Sequence, residues 1–303
     1  MTAVQGIVPV IPTPFTAEEE IDEGALRRLV EFAVECGVGA ICLPAYGGEF
    51  YKLSEEERHR VVKIAVEQAA GRTLVIAQSN HDSARLAAGF ARRNAALGAD
   101  LISVAVPRRF ALSNGELLHF LSTVLKAVEV PCLVQDFNPG GPTVGLDFIS
   151  RLRDECPNFH YLKLEEPLLA EKIQTMRKAL GDRVQILEGW GGLFMMELIP
   201  MGICGVMPGL GMADLLGKAF FLRQAGDTDA AFAVFEKVLP WIVFSLQNLE
   251  LYLYCEKRLL QARGILPNAI CRSAGFVPDP STAEYVDLLN TRVIEAARHL
   301  RES

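Results

Sequence analysis

Ile7-Val-Pro-Val-Ile11-Pro-Thr-Pro-Phe15 decides between the two folds that an alternating α/β pattern allows. Residues 7–11 read as a short, apolar, largely β-branched strand, and a proline turn follows it. An open doubly wound sheet would usually place a glycine-rich phosphate turn at this point, opening its first helix. No G-x-G-x-x-G or G-x-x-x-x-G-K follows this strand candidate or any later one. Downstream, short strand-like runs at residues 40–43, 73–77, 101–105, 132–135, 160–164, 185–187 and 204–207 alternate with helical-period runs. Those helices are expected at 23–36, 54–70, 82–97, 114–128, 146–154, 169–180, 192–200 and 211–224. Ser54-Glu-Glu-Glu57 is a capping box, and Gly37 and Gly98 follow helical runs where a left-handed cap is wanted. Eight strands, each followed by a helix, predict a closed (β/α)8 TIM barrel. After residue 224 the alternation stops, and residues 229–263 and 282–301 read as helices only. The expected division is therefore a catalytic barrel over 1–224 and a C-terminal helical extension over 225–303.

Composition narrows the function. Half of the 303 residues are apolar and 22% are charged, which suits a large buried core and argues against disorder. The net charge of −7 argues against a nucleic-acid or anionic-membrane surface. Met1-Thr-Ala-Val-Gln5 has no basic segment before an apolar core, so it does not read as a signal peptide. Residues 189–212 carry a single charge, Glu197, but Pro200, Pro208 and several glycines interrupt them. A buried helix followed by a buried strand is expected there rather than a membrane span. Seven cysteines, an odd number without a C-x-x-C pair, read as reduced core residues and point to the cytoplasm.

In a TIM barrel the reacting groups belong at the C-terminal ends of the strands. The five histidines show no H-x-x-H or H-E-x-x-H spacing, and no G-x-S-x-G elbow is present. Metal and nucleotide chemistry are not expected. Strand six is more informative: Phe159-His-Tyr-Leu-Lys163-Leu-Glu-Glu-Pro167. Strand alternation puts Phe159, Tyr161, Lys163 and Glu165 on one face and His160, Leu162 and Leu164 on the other. An ammonium buried in an apolar strand is costly, and losing its proton both relieves the cost and yields the neutral amine that attacks carbonyls. An ion pair with Glu165 or Glu188 explains the same lysine, and strand position alone does not choose between the two. Trp190, Trp241 and Phe194-Met195-Met196 read as core from their apolar neighbours, with Trp190 also a candidate pocket wall. The acidic runs at 18–20 and 55–57 read as solvated charges at helix starts.

Gly6 with Thr13-Pro-Phe15, Ile21-Asp22, Gly47-Gly48-Glu49 with Leu53-Ser54 and Glu57-Arg58, and Gly98-Ala-Asp100 follow one another along the chain. Lys163 with its acidic followers, Gly202-x-x-Gly205, Lys257, Gly264 and Arg272 continue the series. In order and spacing, nearly end to end, they resemble the pyruvate-dependent aldolase superfamily of dihydrodipicolinate synthase and N-acetylneuraminate lyase. The resemblance implies that Lys163 forms an imine with pyruvate or a related 2-oxo acid, with no separate cofactor. A turn of small residues lets amides converge on an anion, so those of Tyr46, Gly47 and Gly48 are expected to cradle the carboxylate, and the resemblance implies that Met207 packs near the imine. Family members are mostly tetrameric, with a residue of the strand-four loop reaching into a neighbour's site. Arg109 holds that place here, where it could meet a second carboxylate, so a homotetramer or homodimer is expected.

This chain departs from the family at several points. The strand-two loop, usually glycine, two hydroxyl residues, glycine and glutamate, reads Ala45-Tyr46-Gly47-Gly48-Glu49. Pro107-Arg108-Arg109 stands for the usual Pro-Tyr-Tyr. Gln135, in Gln135-Asp136-Phe137-Asn138-Pro139, aligns with the catalytic tyrosine, and Phe137 is the alternative register. The arginine that binds aspartate semialdehyde is missing from Gly140-Gly-Pro-Thr143. The expected function is thus a Schiff-base lyase performing retro-aldol cleavage, condensation or dehydration on a 2-oxo acid. Tyr46 would replace the proton relay, and Gln135 would orient substrate. The alternatives are a catalytically silent oxo-acid binder, an authentic dihydrodipicolinate synthase, disfavoured by the missing tyrosine and arginine, and an unrelated barrel whose Lys163 is only ion-paired.

Overall fold

The structure, a computed structural model, describes residues 4–138, 141–272 and 275–302. Residues 1–3, Pro139, Gly140, Ser273, Ala274 and Ser303 lie outside them. Eight parallel strands run β1 (Gly6–Ile7), β2 (Ala40–Leu43), β3 (Leu74–Gln78), β4 (Leu101–Ala105), β5 (Cys132–Phe137), β6 (Phe159–Glu165), β7 (Gln185–Glu188) and β8 (Gly205–Val206). Their order is β1-β8-β7-β6-β5-β4-β3-β2. The sheet closes through the stretch after β1. The amides of Val8 and Val10 donate to the carbonyls of Val206 and Pro208, while Cys42 donates to Pro9 and Ile11 donates to Cys42. Pro9 has no N–H to give, so the expected strand at 7–11 shortens to a two-residue ladder plus Val10, which bridges both Cys42 and Gly209.

Helices follow the strands: α1 (Glu23–Glu35), α2 (Glu55–Ala69), α3 (Ala84–Ala96), α4 (Asn114–Leu125), α5 (Leu146–Glu155), α6 (Ala170–Leu180), α7 (Met195–Leu198) and α8 (Ala213–Gln224). Each begins within about a turn of its expected position. Ser54 caps α2 in the capping box read from the sequence, and Ser113 with Glu116 forms a second one on α4. Then come α9 (Thr228–Ser245), α10 (Leu249–Ala262) and α11 (Pro280–Glu302). The expected run 229–263 is broken at 246–248, where Asn248 caps α10 by accepting from the Leu251 amide. No helix among the described residues is long and apolar enough to cross a membrane. Cys42, Cys132, Cys156, Cys204, Cys255 and Cys271 are free thiols.

Two apolar layers result. The larger packs the helices on the outside of the barrel, and a smaller one, with Val8, Ile76, Leu133, Tyr161 and Leu187, fills the inside. Tyr161 closes the lower end by accepting the Val4 amide at 3.1 Å. Phe159 is an exception to strict alternation. A register shift between Cys132 and Leu133 leaves Phe159 opposite Cys132 but Tyr161 opposite Leu133, which turns Phe159 into the outer layer.

The β1–β8 contact leaves no room for side chains. A Cβ on Gly205 would overlap the Gly6 carbonyl and lie 3.1 Å from its nitrogen. Gly205→Ala should lower the stability of the barrel by about 1–3 kcal/mol through overpacking against backbone. Urea unfolding of wild type and variant measures this, and an unchanged midpoint would refute it.

Candidate active site

The C-terminal end of the barrel opens on a cavity of about 340 Å³. Lys163 and Glu165, two residues apart on β6, both face it. Lys163 is 5% exposed, and its Nζ lies 2.7 Å from Oε1 of Glu165. Gln135, opposite Lys163 in the β5–β6 register, donates from Nε2 to the other Glu165 oxygen at 3.0 Å. Gln78 on β3 donates in turn to Oε1 of Gln135 at 2.6 Å. A file of polar side chains therefore crosses the barrel interior and ends on the lysine.

Glycine makes room for it. A Cβ on Gly189, just after β7, would stand 2.6 Å from Cε of Lys163 and 2.7 Å from Oε1 of Glu165, and would overlap Glu165 Cγ. Behind this pair lies Glu188, fully buried, which accepts the amides of Gly192 and Phe194 at 2.9 and 3.4 Å. Burial pushes its carboxyl up to about 7 against those hydrogen bonds.

The walls come from several elements. Tyr46 and Gly47 form a short turn after β2, and Met207 and Gly209 follow β8. Tyr46 sets its ring edge-on to Phe50 at 5.0 Å and tilted to Phe137 at 6.0 Å. Burial, and then the Glu165 charge, hold its phenol protonated by raising its pKa. Trp190 joins the wall, as its position after strand seven suggested, with its indole N–H buried and unpartnered among the described residues. Leu246 and Tyr252, from the helical extension, complete the pocket.

Of the residues singled out from the sequence, Lys163, Gln135, Tyr46, Gly47 and Met207 meet around this cavity. Gly48 does not line it: its amide donates to the Ala45 carbonyl at 2.9 Å, and a Cβ on it would stand 2.9 Å from the Ile11 carbonyl oxygen. Arg109 also stands apart, 70% exposed and paired with Asp82 at 2.9 Å. Glu165 figured in the sequence only as a partner for the lysine, and Gln78 and Tyr252 did not figure at all. Among the described residues no three His, Cys, Asp or Glu side chains converge as a metal site would require.

A second polar cluster fixes the β2 loop. Glu49, completely buried and in the left-handed region, accepts from Lys257 of α10, from Lys52 at 3.0 Å and from the Arg272 amide at 3.1 Å. Arg272 clasps Glu57 of the α2 capping box, and both Arg272 and Lys257 lie over the face of Phe15.

Residues 3–276 match the dihydrodipicolinate synthetase family. The chain belongs to that family. Its named members are lyases. The chain is 26% identical over 266 residues to L-2-keto-3-deoxyarabonate dehydratase of Azospirillum brasilense, covering 86% of this chain and 85% of the relative. It is 31% identical over 249 residues to 4-hydroxy-tetrahydrodipicolinate synthase of Halorhodospira halophila, covering 78% and 80%. The crystal structure of dihydrodipicolinate synthase from Rhodopseudomonas palustris superposes with a TM-score of 0.88 at 26% identity, over 95% of this chain and 97% of that one. The family resemblance and the TIM barrel expected from the sequence are both found.

The buried carboxyl of Glu256, on α10 behind the pocket, yields a pH test. Its Oε1 accepts the Gly211 amide at 2.7 Å, and burial raises its pKa from 4.5 to about 7. The folded state holds a proton there that the unfolded chain has released, so stability falls as pH rises from 4.5 to 7 and then levels off. Glu256→Gln keeps the Gly211 bond but cannot titrate. Urea unfolding between pH 4.5 and 8 should show the variant losing roughly 3 kcal/mol less than wild type. Parallel profiles would refute the raised value.

Proposed function

We propose that this protein is a Schiff-base lyase that dehydrates a short 3-deoxy-2-oxo acid. The observation that carries the reading is the Lys163–Glu165 pair, 2.7 Å apart on the pocket floor, with Gln135 on the second carboxylate oxygen. A carboxylate held against an ammonium can take its proton and release the neutral amine. The amine attacks the C2 carbonyl, a proton passes from nitrogen to oxygen, and Glu165 returns its own proton as the hydroxyl leaves as water. A protonated imine and a Glu165 carboxylate remain.

The same carboxylate then serves as base at C3, leaving an enamine. The enamine expels the C4 hydroxyl, which leaves as water with the proton Glu165 has just gained, and hydrolysis of the imine frees the product. One carboxylate thus supplies the base and the acid, work for which positioned groups contribute roughly 10²–10⁴-fold. Gln135, a neutral amide, serves as neither acid nor base and acts by fixing Glu165. Tyr46, kept protonated, offers a hydrogen bond to the departing oxygen. The amides of Tyr46 and Gly47 receive the carboxylate, and Met207 packs against the imine carbons. The dehydratase from Azospirillum brasilense supports elimination as the reaction, as does the glutamine at position 135. The imine is the only prosthetic chemistry the reaction requires.

Reductive trapping with borohydride and pyruvate, followed by mass analysis, tests the assignment together with turnover on 3-deoxy-2-oxo acids. Lys163→Ala should give no adduct, and an adduct in this variant would refute the imine. Glu165→Gln should lose turnover by about 10²-fold or more, and Tyr46→Phe should form the adduct but turn over more slowly, within the range for such groups. Full activity in Glu165→Gln would sink the proposed proton path.

We further propose that copies of this chain assemble through the β4–α4 loop, where Phe110 is 74% exposed beside Arg109. Sedimentation should show a dimer or tetramer, and a stable monomer at working concentration would exclude it.

A further inference from the structure

The loop after β2 has a glycine, Gly47, where the family pattern has its second hydroxyl residue, and something else occupies the space. A Cβ on Gly47 would stand 3.0 Å from Cε1 of Tyr252 and 3.1 Å from Cγ1 of Val10. Tyr252 lies in the first turn of α10, held there by the Asn248 cap. Its phenol oxygen would be 3.5 Å from that Cβ and 2.7 Å from a Cβ on Gly209, beyond β8. The ring therefore lies across two glycines at the barrel mouth, in the cavity that holds Lys163.

The hydroxyl has no hydrogen-bond partner among the described residues. Burial raises its pKa, so it stays a donor, and no protein acceptor meets it among the described residues. One turn on, Glu256 is fully buried, and its Oε2 has no partner among the described residues and would overlap the same Cβ on Gly209. Below its raised pKa of about 7, that carboxyl is protonated and places no negative charge behind the phenol. Among the described residues lining the cavity, Lys163 is the one cationic side chain, and imine formation commits it. A carboxylate on the ligand must then be met by neutral donors.

We infer that the Tyr252 hydroxyl, delivered by the C-terminal extension, donates to the carboxylate of the 2-oxo acid and stands in for the hydroxyl that position 47 lacks. The inference rests on the 2-oxo acid reading above. Gly47 and Tyr252 are then a matched pair: the ring fits because the loop has no side chain there.

Two probes separate this role from packing: pyruvate, and hydroxyacetone, which forms an imine with the same lysine but has no carboxylate. In borohydride trapping, Tyr252→Phe should raise the half-saturating pyruvate concentration about 10- to 100-fold, as loss of a hydrogen bond to a charged group does. The hydroxyacetone value should not change. Gly47→Ser alone should impair pyruvate trapping because the ring blocks the new side chain. Adding Tyr252→Ala to it should bring the pyruvate value back towards wild type. Equal shifts for both probes in Tyr252→Phe would reduce the residue to packing, and no shift for either would place the carboxylate elsewhere. A double variant no better than Tyr252→Ala alone would also overturn the inference. Wild type that traps neither probe at Lys163 would overturn this inference and the lyase reading together. Trapping of both probes without the selective shift would overturn the inference alone.

Discussion

The site depends on one buried contact, that between the ammonium of Lys163 and the carboxylate of Glu165. Taking two charges out of water costs several kcal/mol each, and their attraction offsets this only if the remaining donors and acceptors are also served. Gln135 supplies that service on β5, and Gln78 holds Gln135. Gly189 leaves the volume both side chains need. Four strands thus contribute to the placement of two atoms. A barrel suits the task because each strand can deliver one side chain to the same interior point from a different direction.

A second buried pair does for the loop what the first does for the lysine. Glu49 ends the turn that carries Tyr46 and Gly47, and Lys257 reaches it from a helix more than 200 positions away. Breaking such a pair leaves an uncompensated buried charge, so the loop and the extension are held to one geometry. Several family motifs that look independent in the sequence are parts of this cluster. Phe15, Glu49, the Ser54–Glu57 capping box, Lys257 and Arg272 meet in one place.

The barrel was legible because its evidence is local and repeated: short apolar, β-branched runs, capping residues and a first strand that runs into proline. Alternation also placed Tyr161, Lys163 and Glu165 on the inner face correctly. It misplaced Phe159 because a bulge changes the count by one, and nothing in the strand marks a bulge. Resemblance brought Tyr46, Gly47, Gln135 and Met207 to the pocket, since register is shared across the family's fold. It could not foresee that Gly48 would spend its amide on Ala45 or that Arg109 would pair with Asp82. Tyr252 was illegible for a different reason. Helical periodicity says that a residue is buried, but not which distant cavity its ring enters. The run Gly189-Trp-Gly-Gly192 carried a usable signal, since clustered glycines after a barrel strand mark a place where something must come close.

The extension's share in the pocket bears on how the protein is made. Ribosomes deliver the barrel strands first, and domains tend to fold as they emerge. Yet Leu246 and Tyr252 wall the cavity, and Lys257 and Arg272 secure its loop, so a nascent chain carrying all eight strands still lacks a finished site. The pocket is therefore completed by residues that leave the ribosome last, and a chain halted before residue 249 would lack Tyr252, Lys257 and Arg272.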